Sequence, residues 1–126
     1  MPVEDFNHYN LRAPRPVVEA LREFYTAVVG LKEGFRPPFR RPGYWLYAGD
    51  RDILHLSESR PGEVVLVNAG GTLDHVAFRC TDEAAYRATL TARGIPCEED
   101  DVPLTGELQF FLRDPAGNLI ELNFRR

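Results

Sequence analysis

The 126-residue chain reads as an α+β protein built from two tandem strand-helix-three-strand (βαβββ) modules. Three observations predict this. Segments that alternate with period two are interleaved with two stretches of helical period, and Gly- and Pro-rich turns punctuate them. Four chemically distinctive residues also recur at the interval of a duplicated unit. His8 and His55 lie 47 residues apart, His75 and Glu121 lie 46 apart, and the second pair follows the first by 67 and 66 residues, as a repeated module of about that length requires.

Residues 5–12 alternate, with Phe6, His8, Asn10 and Arg12 opposing Asp5, Asn7, Tyr9 and Leu11, and are expected to form a strand. Pro14 and Pro16 end it and prepare a helix, because proline is tolerated in a first helical turn, where its missing N–H has no partner to lose. The helix is expected over residues 16–28, with Val17, Leu21, Phe24 or Tyr25, and Val28 as its apolar stripe and Gly30 as its left-handed terminator. The segment FRPPFRRPG, residues 35–43, holds three prolines and three arginines and reads as a stiff exposed loop bordering a cavity. Residues 44–48 and 52–57 look like paired strands joined at Gly49 and Asp50, with Ile53, His55 and Ser57 opposing Leu54 and Leu56.

Residues 58–73 connect the modules, and the apolar run at 64–67 is a candidate edge strand. The pattern then restarts. Residues 74–80 alternate, Asp82 is placed to cap a helix to about Arg93, and Gly94 ends it. Strands are expected at 95–99, 108–113 and 119–124, the last two joined by a tight turn at 114–118. Module one thus spans about 4–57 and module two about 74–126, and the length prior makes residues 1–126 a single domain. Edge-to-edge pairing of such modules would give a curved mixed sheet around a common cleft.

Composition narrows the function. A formal charge of −4 and a pI near 5.4 argue against nucleic-acid or membrane-surface partners, since neither attracts a net anion. Lys32 is the sole lysine. Cys80 and Cys97 fall on different elements with no zinc-type spacing and read as reduced thiols. The first residues show no basic region followed by an apolar run, and no stretch approaches the roughly 18 apolar residues that span a bilayer, so a cytoplasmic location is expected.

Imidazoles and a carboxylate suit a first-row divalent metal that does chemistry. His8, His55, His75 and Glu121 are the candidate ligands, each on the strand face turned away from the large apolar residues. Strand parity places Asn10, Trp45, Tyr47, Arg79, Phe111 and Asn123 as candidate cleft-lining, substrate-binding residues. Arg36, Arg40 and Arg41 either gate an acidic substrate or belong to a solvated loop.

The histidine of NHYNL, the helix end FYTAVVGL with Phe24, Tyr25, Gly30 and Leu31, the strand LDHVAFR and the ending DPAGNLIEL occur in this order. Together they make the chain resemble the vicinal oxygen chelate superfamily over essentially its whole length. That group contains glyoxalase I, methylmalonyl-CoA epimerase, extradiol dioxygenases, fosfomycin-resistance enzymes and bleomycin-resistance proteins. The resemblance implies metal positions at His8, His75 and Glu121, and His55 matches the remaining position, where the glyoxalase I pattern carries a glutamate. It implies a small substrate chelated through adjacent oxygens, a divalent ion (Fe, Mn, Ni, Co or Zn), and a homodimer, because relatives often build the cleft at a subunit interface.

Lyase or isomerase chemistry is the first expectation. Four protein ligands on an octahedral ion leave two sites for the substrate, with Glu121 as the proton acceptor. Three ligands leave room for dioxygen as well, and His55 then becomes an acid or base in an extradiol-type ring cleavage. A bleomycin-resistance-type drug-binding protein without catalysis is the third alternative.

Overall fold

The computed structural model describes residues 1–126, and the chain divides into two compact units, Met1–Leu66 and Val67–Arg126. The boundary falls inside the predicted connection. The first unit contains β1 (Tyr9–Ala13), helix α1 (Arg15–Phe24) with a π-helical turn (Tyr25–Val29), β2 (Lys32–Gly34), β3 (Gly43–Ala48) and β4 (Arg51–Glu58). The second contains β5 (Val76–Cys80), α2 (Glu83–Ala92), β6 (Glu98–Asp101), β7 (Leu108–Arg113) and β8 (Leu119–Phe124). The sheet orders are β1-β4-β3-β2 and β5-β8-β7-β6. Each is a four-stranded mixed sheet with one parallel pair, β1 with β4 and β5 with β8. The predicted α+β class with two βαβββ modules is what the structure shows.

In the first unit, α1 buries Val18, Leu21 and Phe24, so its inner stripe starts one residue later than Val17. Beneath it lie Leu46, Leu54 and Leu56, each at most 1% exposed. Full burial of such a leucine stabilises the fold by about 1.5–3 kcal/mol. The helix end is wider than an α-helix. The Thr26 hydroxyl donates to the Arg22 carbonyl at 2.8 Å, and Gly30 N and Leu31 N both donate to the Tyr25 carbonyl. A threonine that bonds back to the preceding turn competes with the regular ladder there. Gly30, at φ 98°, then lets the chain leave.

The outer strand β2 is not where the apolar pattern pointed. Residues 64–67 form no strand, and Val64 and Leu66 are 85% and 77% exposed. The edge is supplied by three exposed residues, Lys32–Gly34, held by pairing with β3, where Lys32 opposes Tyr47 and Gly34 opposes Trp45, and by the Arg22–Glu33 ion pair at 2.5 Å. Between β2 and β3 the Pro- and Arg-rich loop runs as expected, anchored where the Tyr47 hydroxyl donates to the Phe35 carbonyl at 2.6 Å.

One irregularity in this sheet positions His55, one of the candidate ligands. Between the pairs Leu46–Leu54 and Ala48–Arg51, β3 has a single residue, Tyr47, whereas β4 has two, Asp52 and Ile53. This is a β-bulge on β4, and it breaks the strict alternation of faces just before His55.

In the second unit Asp82 caps α2, its side chain accepting from Ala85 N. The strand expected at 95–99 begins later, at Glu98. Pro96 has no N–H for a ladder, and Ile95 N is used to close the helix on the Leu90 carbonyl. β7 and β8 occupy the predicted residues, joined by a turn in which the buried Asp114 accepts from Ala116 N and Asn118 N, both at 2.9 Å. Phe78, Leu90, Leu108, Phe110, Leu112, Ile120, Leu122 and Phe124 form the core of this unit. No helix is long and apolar enough to cross a membrane.

Candidate functional site

In the first unit, His8 stands one residue before β1, and the register sets Asn10, His55 and Trp45 side by side on adjacent strands, hence on one face. His55 is sandwiched: its ring stacks on His8 at 3.7 Å between centroids and on Trp45 at 4.1 Å, with interplanar angles of 16° and 7°. His55 Nε2 lies 2.7 Å from Asp52 Oδ2, and the hydrogen bond from His55 holds the Asp52 carboxyl below its ordinary range. A carboxylate only accepts, so Nε2 is the donor and the His55 lone pair is left on Nδ1. His8 Nδ1 lies 2.6 Å from Asn7 Oδ1. That acceptor puts the proton on Nδ1 and leaves the His8 lone pair on Nε2.

The second unit repeats this plan. His75 stands one residue before β5, and Glu121 on β8 is in register with Ala77 and Phe111, as His55 is with Asn10 and Trp45. His75 Nδ1 lies 2.8 Å from Asp74 Oδ2, the counterpart of Asn7. In the neutral ring the lone pair is then on Nε2, which lies 3.3 Å from Glu121 Oε1. The other oxygen of Glu121 accepts from Asn123 Nδ2 at 3.0 Å, and the Phe111 ring meets His75 edge-on at 5.8 Å. Glu121 is 5% exposed.

The His75–Glu121 pair has a definite chemical implication. A neutral imidazole nitrogen without its proton and a carboxylate oxygen are both acceptors, and at this separation they repel unless a proton or cation lies between them. Two N and O ligands, each about 2.0–2.2 Å from one ion, stand about 3.0–3.4 Å apart. The pair therefore fits a metal. The His8–His55 stack fits less well as it stands, because imidazole lone pairs lie in the ring planes, and parallel rings aim them side by side instead of at one point. No group of three or more His, Cys, Asp or Glu side chains is gathered as a ligand set, and each unit presents its two candidates as a pair.

The other candidates have divided roles. Asn10 accepts from the Ser57 hydroxyl at 2.8 Å, and Asn10, Ser57, His55 and Trp45 floor a 380 Å³ pocket whose walls include Arg36, Arg40 and Arg41. Tyr47 is spent on the loop backbone. Arg79 lies 3.8 Å from Glu107 in an ion pair, Phe111 packs on His75, and Asn123 holds Glu121 with its own Oδ1 buried and unpartnered. The sequence reading had no role for Asn7, Asp52 or Asp74. For Asn7 and Asp74 a signal exists, an acceptor side chain directly before each of two histidines 67 apart. For Asp52 none does, since only the bulge brings it to His55.

Two modules of identical strand order, one presenting a pair of histidines and the other a histidine and a glutamate, define a duplicated βαβββ scaffold. The Glyoxalase/Bleomycin resistance protein/Dioxygenase superfamily model matches residues 5–122, and the chain belongs to that superfamily. Solved structures agree on the fold. A glyoxylase/bleomycin resistance protein/dioxygenase domain from Frankia sp. EAN1pec superposes with a TM-score of 0.76 at 18% identity, over 99% of this chain and 94% of that one. Lactoylglutathione lyase from Agrobacterium tumefaciens gives 0.68 at 24% identity, over 98% and 96%. The fosfomycin resistance protein FosX from Listeria monocytogenes gives 0.72 at 14% identity, over 99% and 96%. Among curated protein sequences none matches the chain.

Proposed function

We propose that the protein is a metal-dependent enzyme of lyase or isomerase type, acting on a small molecule chelated through adjacent oxygens, with His8, His55, His75 and Glu121 as ligands. The observation that carries this reading is the His75–Glu121 pair, an imidazole nitrogen and a carboxylate oxygen 3.3 Å apart, the separation of two ligands on one ion. The divalent ion, one of Fe, Mn, Ni, Co or Zn, supplies Lewis acidity toward a substrate carbonyl. The protein side chains do the rest. Asn7 and Asp74 fix the His8 and His75 tautomers so that each offers Nε2, an outer-shell role common among ligating histidines. Asn123 holds one oxygen of Glu121, which is the carboxylate placed to accept a substrate proton.

A specific observation supports a second role for His55. Its Nε2 is committed to Asp52 and its ring is stacked on both faces. An imidazole so oriented suits a proton carrier beside a three-ligand ion, the arrangement of ring-cleaving dioxygenation. A homodimeric, cytoplasmic protein with neither nucleic-acid nor membrane partners completes the reading.

Elemental analysis after reconstitution tests it. We expect about one equivalent of a transition metal, lost in His75→Ala and Glu121→Gln protein. Less than about half an equivalent of every metal tried, with an antibiotic bound equally well by wild type and His75→Ala, would instead indicate a sequestering protein. For His55→Ala, weakened metal binding supports ligation. Retained metal with lost turnover supports the proton carrier, and oxygen uptake then separates the two reactions.

A further inference from the structure

We propose that the pocket of the first unit recognises an anionic small molecule with a flat unsaturated body, the acid group held by Arg36, Arg40 and Arg41 and the body laid against Trp45. The pocket contradicts the charge of the chain around it. The protein carries a net −4, yet three arginines and no acidic residue line this cavity. Arg12, Arg15, Arg22, Arg51, Arg79 and Arg87 all lie in ion pairs, whereas Arg36, Arg40 and Arg41 make none. Three unneutralised cations in one concavity focus a positive potential there, and guanidinium forks suit carboxylate or phosphate oxygens.

Arg36 is the least solvated of the three for which a partner is missing. It is half-buried, its Nε is shielded from solvent with no hydrogen-bond partner, and burial pulls its pKa below the ordinary arginine value. The fold makes space for it. A Cβ at position 43 would stand 2.9 Å from an Arg36 terminal nitrogen, so glycine there admits the guanidinium. The loop carrying the arginines is stiffened by Pro37, Pro38 and Pro42, which limits the entropy lost when a ligand binds.

The remaining lining selects the body of the ligand. Trp45 lies flat on His55, and Phe39 stands 6.0 Å from it at 42°, while Arg36 covers the Phe39 ring at 4.9 Å. These ring surfaces favour a planar apolar group, and 380 Å³ is within the range of small-molecule sites. The proposal rests on the proposed function only in taking the bound molecule for the substrate.

Trp45 is the only tryptophan of the chain, so its fluorescence reads the pocket directly. Benzoate, phenylphosphonate, neutral benzamide and inorganic phosphate are titrated against chelator-treated and metal-reconstituted protein. We expect saturable changes with both aryl anions, at least about tenfold weaker binding of benzamide and of phosphate, and at least about tenfold loss of aryl-anion binding in Arg36→Met and Arg41→Met. Arg60→Gln, which removes a charge outside the pocket, leaves binding unchanged. Benzamide binding as tightly as benzoate, phosphate as tightly as phenylphosphonate, equal losses in Arg60→Gln and Arg36→Met, or no saturable response to either aryl anion overturns the proposal. Circular dichroism checks folding. Should Arg36→Met not fold, Arg41→Met and Arg36→Lys decide. Metal content is measured on the same samples. Anion selectivity without stoichiometric metal contradicts the metal reading alone, and stoichiometric metal without selectivity contradicts this one alone.

Discussion

Individual side chains in this protein are oriented by their immediate neighbours in sequence to an unusual degree. His8 is set by Asn7, His75 by Asp74, and Glu121 by Asn123 two residues on. The same economy holds away from the site. Glu63 accepts from Arg60 N at 2.9 Å and lies 2.8 Å from an Arg12 nitrogen, and these contacts, the backbone bond foremost, hold its carboxyl below the ordinary range. The folded state thus binds a proton at Glu63 less readily than the unfolded chain does. Its contribution to stability is full above the unfolded pKa of about 4.3 and is lost as pH falls through the lowered folded value. We therefore expect the stability gap between wild type and Glu63→Gln, from urea denaturation, to stay constant from about pH 7 to 5 and to close below about pH 4. A gap that widens on acidification would contradict the assignment.

At the scale of elements, legibility followed the length of the alternating pattern. β7 and β8 carry six residues each, with Leu108, Phe110 and Leu112 and then Ile120, Leu122 and Phe124 alternating into the core, and appear where the sequence put them. β2 has three exposed residues and no pattern to read, since its place is dictated by β3 beside it. The run at 64–67 shows the converse, an apolar sequence with no strand to pair with. The bulge at Asp52 and Ile53 and the π-helical turn after Phe24 are likewise tertiary compromises that local periodicity does not encode. Packing of β3 on β4 gives a direct test. A Cβ at Gly43 would meet the Leu56 carbonyl oxygen at 2.1 Å, a backbone atom that moves only if the strands part. Gly43→Ala should cost about 1–3 kcal/mol in urea denaturation. Gly49→Ala, where the cost is confined to a φ of 63° with no atom within 4 Å, should cost about 1 kcal/mol. An unchanged midpoint for Gly43→Ala would contradict the close approach.

For the molecule as a whole, the repeated interval of about 67 residues carries both architecture and chemistry. It is visible in the strand orders, in the acceptor before each of two histidines, and in the matching registers of His55 with Trp45 and Glu121 with Phe111. The four candidate ligands were legible because duplication kept them in step. Their side-chain arrangement was not, because the His8–His55–Trp45 stack depends on rotamers that spacing leaves open. The His75–Glu121 pair is proposed as one half of a metal site. The most direct measurement is a crystal structure of metal-reconstituted protein with the ion located by anomalous scattering at its absorption edge. A peak is expected about 2.0–2.2 Å from His75 Nε2 and Glu121 Oε1, with further imidazole ligation. A fully loaded protein whose peaks all lie away from both residues would contradict the proposal.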